Sequence, residues 1–466
     1  MKRKEKRKIK SLKSPKTTKR LATLSAAFLV GSVATFGGDV RACSQDVAAP
    51  TVGEAVEIGA NESTPAAETQ ETTTLENNDA TPAVERVKKL GGTLERDEDG
   101  RVVSLELETE NATVADVRLF VETFGDLETV VLSGKRFDDE TLAPLANCRK
   151  LRSLAVRRNS LNAKTLETLA TAPELREVDL SGCSLTSDCV AAVAKAPKLE
   201  KLGLARVSFR DWFPDDEDFR DPAEYIAASK TLKSLDLRMT QNVTKAACET
   251  LATAPNLEEI YLHNWVADAD LKRLAKSKSL KHVVFENCDD VTQKGLDALF
   301  AAPSIRGISV ERCRSLRPNF AAVPEGKLER LVLRDVAVDG AGLAGLEKAG
   351  TALKTLELAA LGGVDEMSLN RTLSKLRTPT ELTLDLTPAV GDETVRTVVA
   401  ATPNLEAFSL RGTRITDAAL DEIAKLEKLR SLDLRECLGL SQGKVAKLRE
   451  TLPLRFFNGA EIKPTE

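Results

Sequence analysis

One spacing dominates the chain. From Val102 onward the pattern L-x-x-L-x-L returns about every 25 residues, in units that begin at Val102, Leu127, Leu151, Leu175, Leu199, Leu232, Leu257, Leu280, Ile305, Leu328, Leu353, Pro379, Leu405 and Leu429. These fourteen units fill residues 102–453. Their second halves share a T-D-x-x-L-x-x-L-A-x-x-P-x-L character, as in LNAKTLETLATAPEL, LTSDCVAAVAKAPKL, VTKAACETLATAPNL and ITDAALDEIAKLEKL. A length of 466 residues would allow about three ordinary domains. The period argues instead for one small unit used many times, and the composition agrees, with 4% aromatic and 30% charged residues.

A single unit shows the physics. Leu175, Val178 and Leu180 alternate inward on a short strand while Glu177, Asp179 and Ser181 face out. Thr186, Ser187 and Asp188 can cap a helix whose apolar face, Val190, Val193 and Ala194, returns onto the strand, and Pro197 ends it. No unit can bury its own apolar face, so neighbours must stack into a continuous core.

The repeats resemble the leucine-rich repeat family, in its cysteine-containing subtype of ribonuclease-inhibitor-like horseshoes and the repeat portion of F-box proteins. Cys183, Cys288, Cys313 and Cys437 each occupy the ninth position of their unit, where that family places a buried Asn or Cys. The overall pattern is most similar to exported bacterial repeat proteins of the planctomycete type. The resemblance covers about three quarters of the chain. It implies an α/β right-handed solenoid of about 14 units, with a parallel sheet on the concave face and helices on the convex face. No F-box helices precede the repeats, and paired-cysteine caps are absent. Residues 83–101 take the place of an N-terminal cap: the helix AVERVKKL, Gly91-Gly92, the strand TLER and the turn DEDG, with Asp99-Gly100 as hairpin signal. Residues 454–466, with LRFFN, read as C-terminal cap and tail.

The first 42 residues read as an export segment. Residues 1–20 hold eleven Lys or Arg against one acid, and residues 21–38 hold no charge. That is the pattern of a signal peptide, with a retained signal anchor as second reading, because an 18-residue run interrupted by Gly31, Gly37 and Gly38 is marginal for a bilayer of about 30 Å. Cleavage before Cys43 fits Val40-Arg41-Ala42, and Cys43 is the candidate lipidation residue, although Asp39 and Arg41 depart from an apolar lipobox. The expected location is outside the cytoplasm: periplasmic, cell-surface or secreted, with membrane contact only through this segment. Residues 43–82 carry eight acids and no Lys or Arg and read as a disordered acidic tether.

Chemistry-bearing motifs are sparse. Gly340, Gly342 and Gly345 spell G-x-G-x-x-G, but the segment DGAGLAGLEKAG overlays the repeat's own helix start, so a dinucleotide site is not supported. The two histidines, His263 and His282, fall four residues apart in phase on adjacent strands, about 13 Å, which is too far to share a metal or relay a proton. The acidic segment Asp211–Asp221 lacks the Gly and ligand spacing of a calcium loop. Sequons stand at Asn61, Asn111 and Asn242. Without a C-x-x-C pair the seven cysteines after Cys43 read as buried thiols, not as a zinc site. No catalytic residues, metal or cofactor are assigned.

Binding is what remains. The third, fifth and seventh residues of each unit line the concave face and include twelve acids against seven bases, so no basic stripe exists for nucleic acid or anionic lipid. Every Trp, Tyr and His of the chain lies between residues 212 and 282: Trp212, Tyr225, Tyr261, His263, Trp265 and His282. The fifth unit, at 33 residues, is the one long unit, and its insertion can lean over the strand ends that carry Tyr261, His263 and Trp265. Those six residues together with Arg238 are the candidate ligand-binding set. The chain reads as a non-catalytic scaffold for a protein or peptide partner, a glycan ranking behind. A structural or adhesive envelope component acting by self-association is the alternative. Residues 1–43 carry a net charge of +10, so a formal charge of −4 conceals −14 on residues 44–466.

Overall fold

Inward alternation places the first, fourth and sixth residues of each unit in the core: Leu175, Val178 and Leu180 are at most 2% exposed, and Leu257, Ile260 and Leu262 behave alike. The computed structural model describes residues 82–462 apart from 135, 136, 138, 212–219, 244, 245 and 350, all within the unit Leu75–Glu466. The export segment, the tether up to residue 81, Cys43 and Trp212 lie outside the described residues.

The strands stack in register. Ser104 lies opposite Thr129, Thr129 opposite Ser153, Glu259 opposite His282 and Ala407 opposite Ser431. The third residue of each unit therefore meets the third residue of the next. The result is one seventeen-stranded sheet, parallel except for an antiparallel hairpin strand at each end, Thr93–Arg96 and Ala460–Glu461. Helices cover the other face, and a single continuous apolar core lies between the two layers. This is the leucine-rich repeat solenoid, held in parallel by the crossover each helix makes.

Most strands end in a sharp turn at the eighth residue, which sits in the left-handed region. Arg158, Arg206, Met239, Asn287, Arg312, Asp335, Ala360, Leu386 and Glu436 have φ between 50° and 62° there, and Gly182 and Gly412 fill the same position in their units. An L-residue in this conformation costs about 1–2 kcal/mol. Where the ninth residue is Cys or Thr it offsets part of that cost by tying the turn to the preceding unit. Cys183 Sγ donates to the Val156 carbonyl (3.1 Å), Thr240 Oγ1 to Leu204 (2.7 Å), Thr387 Oγ1 to Leu358 (3.1 Å) and Cys437 Sγ to Leu410 (3.0 Å). Cys and Thr interchange at this position because each is a small buried group with one hydrogen to give. The seven described cysteines are all buried thiols. Burial pushes Cys148 up to about 11 and Cys183 and Cys248 up to about 12.

The T-D pair of the second half has its own interlock. Thr292 donates its backbone N–H and hydroxyl to the two oxygens of Asp268 in the previous unit (2.7 and 2.6 Å). Thr416 does the same to Asp392 (2.7 and 2.6 Å), and Ser441 to Asp417 (both 2.8 Å). The Asp of one unit thus holds the helix-capping hydroxyl residue of the next, and these donations depress the Asp417 pKa. In the fourth unit Thr186 caps Ser187–Val193 as the sequence suggests, but the buried small residue is Ala192, while Ala194 is half-exposed.

The ninth unit departs from the pattern. Residues 314–327, with Pro318 and Pro324, cross the convex face without a helix. The following helix start, Gly340–Ala344, packs directly on that crossing. A Cβ on Gly342 would lie 2.4 Å from the Pro318 carbonyl, and one on Gly345 2.1 Å from Phe320 backbone. Those glycines are therefore spent on close packing between units, which accounts for the G-x-G-x-x-G spelling.

At the N-terminal end the helix Pro82–Lys89 begins one residue before the expected cap and buries Ala83, Val84 and Val87. Arg86 Nε and Nη2 donate to Asp116 Oδ1 and Oδ2 (2.7 and 3.0 Å), and Thr113 donates its N–H and hydroxyl to Asp116 Oδ2 (both 2.8 Å). The Arg86 guanidinium, with Thr113, holds the Asp116 pKa down at about 2, against the opposing effect of burial.

Two measurements follow from this packing. A depressed carboxylate pKa contributes stability that is present above the unfolded value near 4 and is lost as pH falls toward 2. Asp116→Asn should therefore lower stability to urea by about 1–2 kcal/mol at pH 6, with the difference closing by pH 2.5; an equal deficit at both pH values would remove the ion pair as its cause. Ala360→Gly should raise stability by up to about 1 kcal/mol, because relief of the left-handed strain exceeds the entropy glycine adds to the unfolded chain. A urea midpoint that falls would show that φ at residue 360 is not strained.

Candidate functional site

The sheet's open face carries the side chains that the strand pleat turns away from the core, and most of its charges pair within the face. Arg157 meets Asp179 (2.8 Å), Lys201 meets Glu177 (2.7 Å), and Arg334 meets Glu311 (3.0 Å) and Glu357. Arg435 pairs with Asp433, and Arg411 turns outward to Glu436 on the rim. With Arg238, which pairs with Asp236, six of the seven concave bases are committed to carboxylates; for Arg330 no ion pair is found among the described residues.

The sixth to eighth units form the most differentiated part of this face. Tyr261 stands in register between Asp236 and Val284. The Arg238 guanidinium lies over its ring, 5.1 Å from the centroid, while Nη2 donates to Asp236 Oδ2 at 2.6 Å and Nη1 lies 4.0 Å from Glu286 in the unit beyond. Glu286 also pairs with Arg312, so one carboxylate bridges bases from two directions. Burial and the neighbouring Glu259 raise the Tyr261 phenol above its ordinary value, so it stays a neutral donor.

His282 is the neighbour of this group. Its ring lies over Gly307 of the next strand: a Cβ there would fall 1.7 Å from Cδ2 and Nε2. Glycine at the third position of the ninth unit is what lets the imidazole lie flat on the sheet. Its Nδ1 is 3.8 Å from Glu259, and burial lowers its pKa against the pull of that carboxylate.

The other members of the candidate set are placed differently. His263 is buried at the strand end, with Nδ1 donating to Asn264 Oδ1 and Nε2 accepting from Asn287 Nδ2, both at 3.0 Å, and its carbonyl accepts from Cys288 Sγ at 3.1 Å. Trp265 fills the ninth position of the seventh unit, packs against the core, and leaves its indole N–H without a partner. Tyr225 lies on the helix Pro222–Ala228 and packs on the core from the convex side. Tyr261, Arg238 and His282 therefore share the open face, while His263, Trp265 and Tyr225 are built into the structure around it.

The described ends of the fifth-unit insertion point elsewhere than the sequence suggests. Ser208–Phe209 pair with Ser184–Leu185, Arg210 reaches Ser160 Oγ and the Leu161 carbonyl (both 2.7 Å), and Asp211 accepts from the Ser187 N–H (2.8 Å). These bonds run back to the third and fourth units, away from Tyr261 and Trp265. The far end, Asp221–Ala223, borders Asn242 and Val243 of the sixth unit. Glu286 is not in the candidate set; its seventh-position phase, shared with Arg238 two units earlier, was the available signal.

Catalytic or metal chemistry has little to work with here. Among the described residues no group of three His, Cys, Asp or Glu side chains could hold a metal ion, and no helix is long and apolar enough to cross a membrane. A groove of about 290 Å³ lies between helices, lined by Arg118, Glu122, Glu140 and Asn147 with Val121, Ala143 and Pro144, and it holds no nucleophile beside a base.

No family model and no curated protein matches the chain. Similar solved structures include the TLR13–ssRNA13 complex, at 17% identity over 72% of this chain and 53% of that one with a TM-score of 0.46. Others are the yeast Rad7–Elc1 complex, at 15% identity over 74% and 83% with a TM-score of 0.46, and an internalin (inlF) of Listeria monocytogenes, at 18% over 76% and 94% with a TM-score of 0.36. The chain spans about half the length of the TLR13 chain it matches.

Proposed function

We propose that this protein is a non-catalytic scaffold that binds a protein or peptide on its concave face, outside the cytoplasm. The observation that carries the reading is the Arg238–Tyr261 stack on a sheet face where most charges pair with one another. Arginine and tyrosine are the residue types most often found to carry binding energy, and here each is fixed before any partner arrives. Asp236 and Glu286 hold the guanidinium, and the strand ladder holds the ring. A surface whose anchors are already ordered loses little side-chain entropy on association. The basic and then uncharged segment of residues 1–38, followed by an acidic remainder, supports export to a periplasmic, surface or secreted location.

The test is affinity capture from envelope extract followed by titration of the recovered partner. Tyr261→Ala and Arg238→Ala should each weaken binding by about tenfold to a hundredfold. Tyr225→Ala should lower thermal stability and leave the affinity of the folded fraction within about twofold. A partner that binds Tyr261→Ala as tightly as the unaltered protein, or whose hydrogen-exchange footprint lies on the helices, would sink the concave-face reading. Ordered oligomers that grow with concentration and need no partner would favour the self-associating envelope component in its place.

A further inference from the structure

The recognition reading leaves open what a partner presents, and the unpaired charge of the face bears on that. Among the twelve concave carboxylates, most are met by a base of the same face or rim. Two that are not stand four residues apart in the twelfth unit, Glu381 at the start of the strand Glu381–Thr383 and Asp385 in the turn just after it. Glu381 is exposed and accepts only the Thr355 hydroxyl (2.9 Å). Asp385 Oδ1 accepts the Ser409 hydroxyl (2.6 Å) and the Arg411 backbone N–H (2.9 Å).

Arg411 is the base best placed to neutralise Asp385, and it does not. Its guanidinium Nε donates at 2.9 Å to Glu436 on the rim. Arg334 and Arg435 are likewise spent on Glu357 and Asp433. Burial and the charges of Asp433 and Glu357 raise the Asp385 pKa, so this carboxylate sits in a field that an arriving cation would relieve.

The neighbouring side chains leave room for one. Thr355, Ala359, Thr383, Ala407 and Ser409 surround the two carboxylates on the same face, and all are short. Four residues at the rise of a strand separate the carboxylates by about 13 Å. That spacing is too wide for one metal ion to be shared and suits two basic side chains carried about four residues apart on an extended segment.

We propose that the concave face at the twelfth unit takes a basic extended segment of a partner protein, with one Lys or Arg seated on Asp385 and a second on Glu381. The site lies on the same face as Tyr261 and Arg238, and the inference rests on that face being the recognition surface. Binding there is set by charge: it weakens with salt and does not depend on the aromatic anchor alone.

The probes are three labelled ten-residue peptides with two Lys, two Glu or two Thr placed four apart in a Ser/Gly background, followed by fluorescence anisotropy at low ionic strength. The Lys peptide should bind most tightly. The pair Asp385→Asn with Glu381→Gln should weaken it by about tenfold. The convex pair Glu122→Gln with Asp421→Asn, which changes net charge equally, should weaken it by less than twofold. Melting curves confirm that both variants are folded. Equal losses in the two variants, or equal binding of the Thr peptide, overturn the proposal as mere net-charge attraction. If the Thr or Glu peptide binds best and loses affinity in Tyr261→Ala, the charge assignment falls and the recognition reading stands. If no probe binds and a captured partner ignores both Tyr261 and Asp385, both fall.

Discussion

Everything in this molecule depends on the fact that one unit cannot bury its own leucines. A strand and a short helix enclose an apolar face open on both sides, so each unit supplies the wall of the next and the core exists only as a continuous column. The register of the strands is the visible form of that constraint, third residue against third residue from Ser104 to Phe456. Apolar contact alone would allow units to slide. The polar ninth residue and the Asp–Thr interlock are directional, and each fixes one side of the unit to its neighbour.

The same register decides how the open face works. With strands about 4.8 Å apart, side chains at one position form rows across many units. A charge on this face meets partners from both sides along the array, so Arg334 sits between Glu311 and Glu357, and Glu286 between Arg238 two units before it and Arg312 in the next unit. Pairing of this kind consumes most of the face's charge and orders it. What stands out against that background is the stacked Tyr261 and the uncompensated Asp385, two features of different chemistry on one surface.

The fold was legible in the sequence because the period is long and repeated fourteen times, which makes any single irregular unit harmless to the argument. Strand positions and the inward triplet Leu175, Val178 and Leu180 follow from spacing alone, and the buried ninth-position thiols from the resemblance to the repeat family. The candidate site was legible only in part. Clustering of Trp, Tyr and His between residues 212 and 282 points to a region, but a cluster in sequence does not say which face a side chain occupies. Phase narrows this: Tyr261 and His282 are at the fifth and third positions, whereas Trp265 at the ninth and Tyr225 on a helix are in structural phases; His263, at the seventh position, is nonetheless buried against Asn264 and Asn287. The anchoring of Arg210, where the described start of the insertion ends, was not legible, because it depends on that side chain reaching back across two units to Ser160 and Leu161.

The missing helix of the ninth unit divides the convex layer. Helices pack one on the next from Pro82–Lys89 to Gln293–Ala301, and again from Gly340–Ala344 onward, and among the described residues the packing across the gap is weaker than on either side. The sheet runs through uninterrupted, His282 against Gly307 and Gly307 against Arg330. Mechanically the solenoid is therefore two stiff blocks joined by a flat spring: the strands carry tension through the ninth unit, while resistance to bending there comes from an extended chain in place of a helix. Tyr261 and Asp385 lie on opposite sides of that joint, so a ligand that touched both would hold the curvature of the sheet as well as its own position.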